Sequence, residues 1–149
     1  MKRTFGGIIR LGLLVIVGGF LVIQIIPYGH NHANPPVVSE PTWDSAQTRA
    51  LAKRACFDCH SNESTWPWYS NIAPVSWLIQ RDVDEGRSSL NFSEWGGSGN
   101  RRLREISRVV LEGQMPPAIY LLQHPNAKLT DAEIQQLANG LSATVNASR

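Results

Sequence analysis

Apolar residues are spread unevenly along the 149-residue chain. Between Phe5 and Tyr28 only Arg10 and Gln24 carry a charge or a side-chain amide, and the rest is apolar on every side. Such a run predicts a helix long enough to cross a ~30 Å hydrocarbon layer at ~1.5 Å per residue. Pro27 is a natural stop, and Tyr28 falls where an interfacial aromatic belongs. Lys2 and Arg3 precede the run, and no Lys or Arg follows until Arg49. That asymmetry keeps the N-terminus in the cytoplasm and exports the remainder. A buried core helix has neither this length nor these flanks. A cleaved secretory leader is the rival, but its best site, Ala33, has Asn31 at the −3 position. The reading is an uncleaved anchor over residues 1–28.

Beyond it the pattern changes to stripes at helical spacing. Residues 29–42 hold three prolines and little apolar material, and read as a semi-rigid tether reaching about 40 Å when extended. Its His30 and His32 read as solvated linker histidines rather than metal ligands. Residues 43–149 carry four helical patterns and no convincing alternating strand. The first runs from an Asp44 or Ser45 cap through Ala46, Ala50, Leu51 and Ala55 into Cys56. The second opens at Pro74, carries Val75, Leu78, Ile79 and Val83, and stops at Gly86. The third has Asn100 as its cap, Leu103, Ile106 and Val110 as its stripe, and Gly113 as its end. The fourth opens with a Thr130–Glu133 capping box and continues through Ile134, Leu137, Ala138, Leu141 and Val145. The segment from Ser61 to Ala73 is too rich in Pro, Ser and Trp for regular structure. The expected fold is all-α with long aromatic loops.

Charge sharpens this division. The chain has 14 Lys+Arg against 12 Asp+Glu, but Lys2, Arg3 and Arg10 all lie in the leader. The domain that follows is slightly acidic, which disfavours nucleic-acid binding driven by bulk charge. It also has large loops, a limited core and five tryptophans (Trp43, Trp66, Trp68, Trp77 and Trp95) that need something to pack on. A large apolar cofactor would meet that need, and a chain lacking it is expected to fold poorly.

The two cysteines supply the candidate. Cys56-Phe57-Asp58-Cys59-His60 has the Cys-x-x-Cys-His spacing of a c-type haem attachment site. Thiols three residues apart on a helical turn reach two vinyl groups of one porphyrin, and the next residue brings an imidazole under the ring. Export agrees independently, because c-type maturation occurs outside the cytoplasm. A thioredoxin-like dithiol would need a βαβ pattern, which is missing. A structural disulfide suits an oxidising compartment but leaves His60 unexplained. Zinc would need more ligands than His124, the one histidine left in the domain, can add.

The sixth iron ligand is argued by elimination. Met1 is at the wrong end, so Met115, in Gly113-Gln114-Met115-Pro116-Pro117, is the available thioether. The prolines forbid helix there and hold an extended loop. His124 is the chemical rival, and an open or water-filled position is the third alternative. Met/His ligation raises the reduction potential, which suits a carrier.

Longer strings point the same way. Asn62-Glu63-Ser64-Thr65-Trp66-Pro67-Trp68-Tyr69-Ser70-Asn71-Ile72-Ala73-Pro74-Val75-Ser76-Trp77 resembles the signature of the bacterial haem-binding domain family. So do Asp82-Val83 with Glu85-Gly86-Arg87, Asn91-Phe92-Ser93-Glu94-Trp95, and Met-Pro-Pro with Tyr120 and His124-Pro125. The resemblance spans roughly Thr48 to Leu137. It implies a cytochrome c-like helical plan and one covalent haem at Cys56, Cys59 and His60, with Met115 as distal ligand. The family has no generally assigned reaction.

Further residues invite weaker roles. Trp66, Trp68 and Tyr69 could wall the haem or simply pack in their loop. Arg81 and Arg87 could neutralise propionates or be solvated helix-end arginines. Arg101, Arg102, Arg104 and Arg108 make the third helix basic, either as a docking patch for an acidic redox partner or as a solvated face. Gly97-Ser98-Gly99 lacks the strand and third glycine of a dinucleotide loop. The function expected is a membrane-anchored, exported monohaem cytochrome c carrying one electron between partner proteins. A gas-binding haem module and a haem enzyme such as a peroxidase are the alternatives, and each needs an open or labile distal position.

Overall fold

The computed structural model describes residues 5–97 and 103–148. The expected Asn100 cap, most of the Gly97-Ser98-Gly99 segment, Lys2, Arg3, Arg101 and Arg102 lie outside the described residues. Every regular element described is helical: α1 (Phe5–Ile23), α2 (Ala46–Ala55), α3 (Phe57–His60), α4 (Val75–Ser89), α5 (Ile106–Leu111), α6 (Ala118–Gln123) and α7 (Asp131–Ala147). Short 3-10 turns occupy Trp68–Asn71 and Pro125–Ala127. A lone parallel bridge joins Ser39 and Glu94. The chain divides into two compact units, one of residues 1–32 and 66–81, the other of residues 33–65 and 82–149.

In the first unit, α1 has 19 residues, a mean hydropathy of 2.3 and no buried residue. By length and composition it is able to cross a membrane. Where it ends, Gln24 takes over. Its Nε2 donates to the carbonyls of Phe20 and Ala73, both at 3.0 Å, and its Oε1 accepts the Ala73 N–H at 3.0 Å. His32 lies 3.0 Å through Nε2 from the Ser70 carbonyl and stacks on Trp66 with ring centroids 4.6 Å apart. The Trp-rich loop, expected to be irregular, thus has a 3-10 turn and fixed partners. The apolar stripe expected along α4 is not core in this unit: Val75 is 40% and Leu78 57% exposed, whereas Ser76 is buried.

The second unit holds the hydrophobic core. Ser45 caps α2 by accepting the Thr48 N–H at 3.1 Å. The buried face of α2 is Thr48, Leu51, Ala52 and Ala55; Ala46 and Ala50, expected on that stripe, face solvent. Thr48 is inward because Gly140 of α7 lies directly against it, with no room there for a Cβ. The capping box of α7 forms as expected, with both Thr130 and Glu133 engaged. Leu137, Ala138, Leu141 and Val145 of α7 pack with Leu51, Ile106 and Val110. Gly113, at φ +67, stops the turn that follows α5. Trp43 and Trp95 pack on Phe92, at ring-centroid distances of 5.2 and 6.0 Å, and Phe92 stacks on Phe57 at 5.4 Å. These two tryptophans therefore find protein partners and do not wait for a cofactor.

The Pro-rich segment from Ala33 onward is bound to this unit rather than free. Val38 and Ser39 donate backbone N–H groups to the Ser93 carbonyl at 2.9 and 3.1 Å, and Trp95 N–H returns to Ser39 at 2.9 Å. Glu40 holds Arg49 through both carboxylate oxygens at 2.6 and 2.7 Å. The Asn and Ser residues of the long strings have a structural use. The Asn62 backbone N–H donates to Ser93 Oγ at 2.9 Å, and its side-chain oxygen accepts from Asn91 Nδ2 at 2.9 Å. Asn91 Oδ1 in turn accepts the Ser93 N–H at 2.9 Å. Three buried polar residues are thus satisfied by one another.

Candidate functional site

The Cys-x-x-Cys-His segment is a single helical turn that follows α2. Cys56 ends α2 with its N–H on Ala52 O at 2.8 Å, and its own carbonyl accepts from Cys59 and His60 at 3.2 and 2.9 Å. Phe57 points into the core and fixes the turn; it is 2% exposed. Both thiols are free. Burial pushes each up to about 12, helped at Cys59 by the Asp82 and Asp58 carboxylates.

His60 is oriented by α4 and the segment after it. Its Nδ1 lies 3.1 Å from the Gly86 carbonyl and 3.0 Å from the Leu90 carbonyl. Carbonyls only accept, so Nδ1 carries the proton and Nε2 of the neutral ring keeps its lone pair. Burial also lowers the His60 pKa, against the opposing effect of those carbonyls, which favours the neutral form. The backbone of His60 is tied as well, through the Phe92 N–H on its carbonyl at 2.8 Å.

The opposite end of the turn is fastened by Asp58. Its Oδ1 accepts the Thr65 N–H at 3.0 Å, and its Oδ2 accepts the Tyr120 hydroxyl of α6 at 2.7 Å. Burial and the adjacent carboxylate raise the Tyr120 pKa, so the hydroxyl stays a donor. Tyr120 also stacks on His124, with ring centroids 4.0 Å apart, and the Tyr120 carbonyl accepts from His124 Nδ1 at 3.0 Å.

A small cleft of about 90 Å³ opens beside this turn. Cys56, His60 and Met115 all line it, with Leu90, Val109 and Leu141 supplying apolar wall. Met115 comes from the turn after α5, where Gln114 and Met115 both donate backbone N–H groups to Val109 O, at 3.0 and 3.3 Å. Pro117 then opens α6 rather than prolonging an extended loop.

The expected residues thus separate. Cys56, His60 and Met115 come together, and Cys59 shares their turn without lining the cleft. His124 is folded onto Tyr120 and is not a lining residue. Trp66, Trp68 and Tyr69 belong to the other unit. There Trp66 stacks on His32, and Trp68 meets Tyr69 edge-on at 5.7 Å. Arg87 is half-buried and held by neighbouring chain segments. Its guanidinium donates to Ser61 O, Ala33 O, Asn34 Oδ1 and Ser64 Oγ at 2.8 to 3.0 Å. Arg81 lies in the first unit. On α5, Arg108 pairs with Glu112 at 3.2 Å and Glu105 at 4.0 Å, so these two carboxylates offset the charge of Arg108.

Gly86 is a site residue that periodicity misassigns. It does not stop α4, which continues to Ser89. It lies where a Cβ would overlap the Cys59 carbonyl, so its lack of a side chain lets α4 touch the cysteine turn. The Leu90 contribution is a backbone carbonyl, which no side-chain pattern announces. The Asp58–Tyr120 pair was visible only as two polar residues far apart in sequence.

The model of the haem-binding domain family matches residues 18–143, and the chain belongs to that family. No curated protein and no solved structure matches it. It is therefore a haem-binding protein, and its residues fit that group. The cleft is apolar, one wall presents an imidazole whose Nε2 is free, and a thioether lies on the same cleft.

Proposed function

We propose that the protein is a membrane-anchored, exported, monohaem c-type cytochrome that carries single electrons between partner proteins. The observation that carries this reading is the shared cleft of Cys56, His60 and Met115 beside a His60 ring whose Nδ1 is already committed to Gly86 and Leu90. When bound, the haem iron supplies a one-electron couple. Cys56 and Cys59 would hold the porphyrin through their sulfur atoms, and His60 would offer Nε2 to the iron from a ring fixed in tautomer and orientation. Met115 would supply a thioether ligand to the iron. A thioether there favours the reduced state and leaves no place for a gas or a peroxide. The α1 helix anchors the chain with its N-terminus in the cytoplasm, supported by the Lys2 and Arg3 flank and the absence of Lys and Arg between the end of the helix and Arg49.

Two measurements test the proposal. Haem stain that survives denaturing gel electrophoresis is expected, and its loss overturns covalent attachment. The ferric protein is expected to be low-spin with a thioether-to-iron charge-transfer band. A high-spin ferric spectrum overturns the carrier reading in favour of a gas-binding or peroxidase-like site.

A further inference from the structure

The stretch Trp66–Gln80 contains no charged residue, although it carries three tryptophans and a tyrosine. In its unit the apolar side chains of this stretch are not all inward. Trp68 is 75%, Leu78 57% and Val75 40% exposed. Val75 and Leu78 have the spacing of a core stripe, yet nothing in their unit buries them. The same unit contains α1, and the two are joined where the apolar helix ends. Gln24 spends its whole amide on Phe20 and Ala73, with both hydrogens donated and the oxygen accepting the Ala73 N–H. Gly29, at φ +84, lies so close to the Ser76 backbone that a Cβ would meet its oxygen at 2.5 Å. His32 closes the set on Ser70 and Trp66. The loop is therefore bound to the chain immediately after the span, and Tyr28, 46% exposed, lies in the same unit.

We infer that residues 66–80 form a second membrane contact, lying in the lipid interface beside the end of α1. The inference rests on the reading of α1 as a membrane span and extends it. Interfacial layers favour Trp and Tyr, whose bodies are apolar and whose tips are polar. They disfavour charge, which this stretch lacks. A side-chain amide at the edge of hydrocarbon has to be fully hydrogen-bonded, and that of Gln24 is. The occupant of the exposed Trp68, Val75 and Leu78 face is then phospholipid. A solvent-facing loop has no need to exclude every charge over this length.

The full chain carrying its haem is reconstituted in phospholipid nanodiscs containing a lipid with a diazirine near the headgroup end of its acyl chain. After illumination, adducts are mapped by peptide mass spectrometry. Adducts are expected both on α1 and on the peptide bearing Trp68, Val75 and Leu78. The double substitution Trp68→Glu, Leu78→Glu, at two exposed positions, is expected to abolish the second set and leave the first. Adducts on α1 with none on 66–80 overturn the second contact while the span stands. Adducts on neither overturn the span itself, and the second contact with it. Adducts on 66–80 that persist undiminished in the double variant overturn the assignment of this face.

Discussion

Gly86 of α4 lies against Cys59 with no space between them for a methyl group, because a Cβ at Gly86 would overlap the Cys59 carbonyl. The contact brings the carbonyl of the same glycine to Nδ1 of His60, at 3.1 Å. One missing side chain thus sets the distance between α4 and the cysteine turn, and with it the orientation of the imidazole.

Substituting Gly86→Ala forces the backbone of one element away from the other, since neither neighbour is a flexible side-chain end. Overpacking of this kind costs ~1–3 kcal/mol or more. The expected outcome is a lower melting temperature together with a lower haem-to-protein absorbance ratio. An unchanged ratio and unchanged melting would show that the two elements can separate without loss.

Tyr120→Phe removes the hydroxyl that donates to Asp58 at 2.7 Å and leaves Asp58 with the Thr65 N–H as its remaining fixed bond. Losing a hydrogen bond to a charged group costs ~1.5–3 kcal/mol. Thermal melting of the haem-loaded variant is expected to fall accordingly. Its absorption spectrum should stay that of the parent, because Tyr120 is not a lining residue of the cleft.

The sequence made helices with two clear ends legible, and sites announced by side chains. Ser45 and Thr130 cap where their residue types say they should, and α7 buries the stripe its spacing predicts. The cysteine turn was readable because its spacing encodes chemistry. What was not readable depends on neighbours. Gly86 reads as a helix stop, yet it permits a close contact of α4 with the cysteine turn, as Gly140 does for α7 with α2. Arg87 looks like a solvated helix end, yet four partners distant in sequence hold it. Val75 and Leu78 have core spacing but stay exposed, since spacing gives a face and not what covers it.

The choice between Met115 and His124 can be read spectroscopically. Met115 lines the cleft with His60, whereas His124 is stacked on Tyr120 and bonded to its carbonyl. Met115→Ala is expected to abolish the ferric thioether band and open the sixth position to added ligands. His124→Ala is expected to retain the band. The reverse pattern would transfer the ligand role to His124.

The Glu40–Arg49 pair predicts an acid-side loss of stability. The Arg49 hydrogen bonds, opposed by partial burial, hold the Glu40 carboxyl below its ordinary value of 4.5. A carboxyl depressed in the folded state contributes its full stability above the unfolded value and loses it as pH falls through the folded one. Melting temperatures of the parent and Glu40→Gln are therefore expected to differ at pH 7 and to converge below about pH 4, near the ordinary carboxylate range. A difference that stays constant across this window would exclude the carboxylate as its source.

Arg87 gives the sharpest test of how residues 33–42 are held. Its fork reaches Ser61 and Ser64 on one side and Ala33 and Asn34 on the other, so it joins the chain before α2 to the chain after the cysteine turn. Lysine keeps the charge but cannot direct planar donors to four acceptors. Arg87→Lys is expected to speed amide hydrogen exchange at Val38 and Ser39, whose N–H groups bond to Ser93 O, far more than at Leu137 or Leu141 in the core of α7. The haem spectrum should be unaffected, because Arg87 is not a lining residue of the cleft. Exchange that rises equally in both places would mean that Arg87 supports the whole domain and not this one segment.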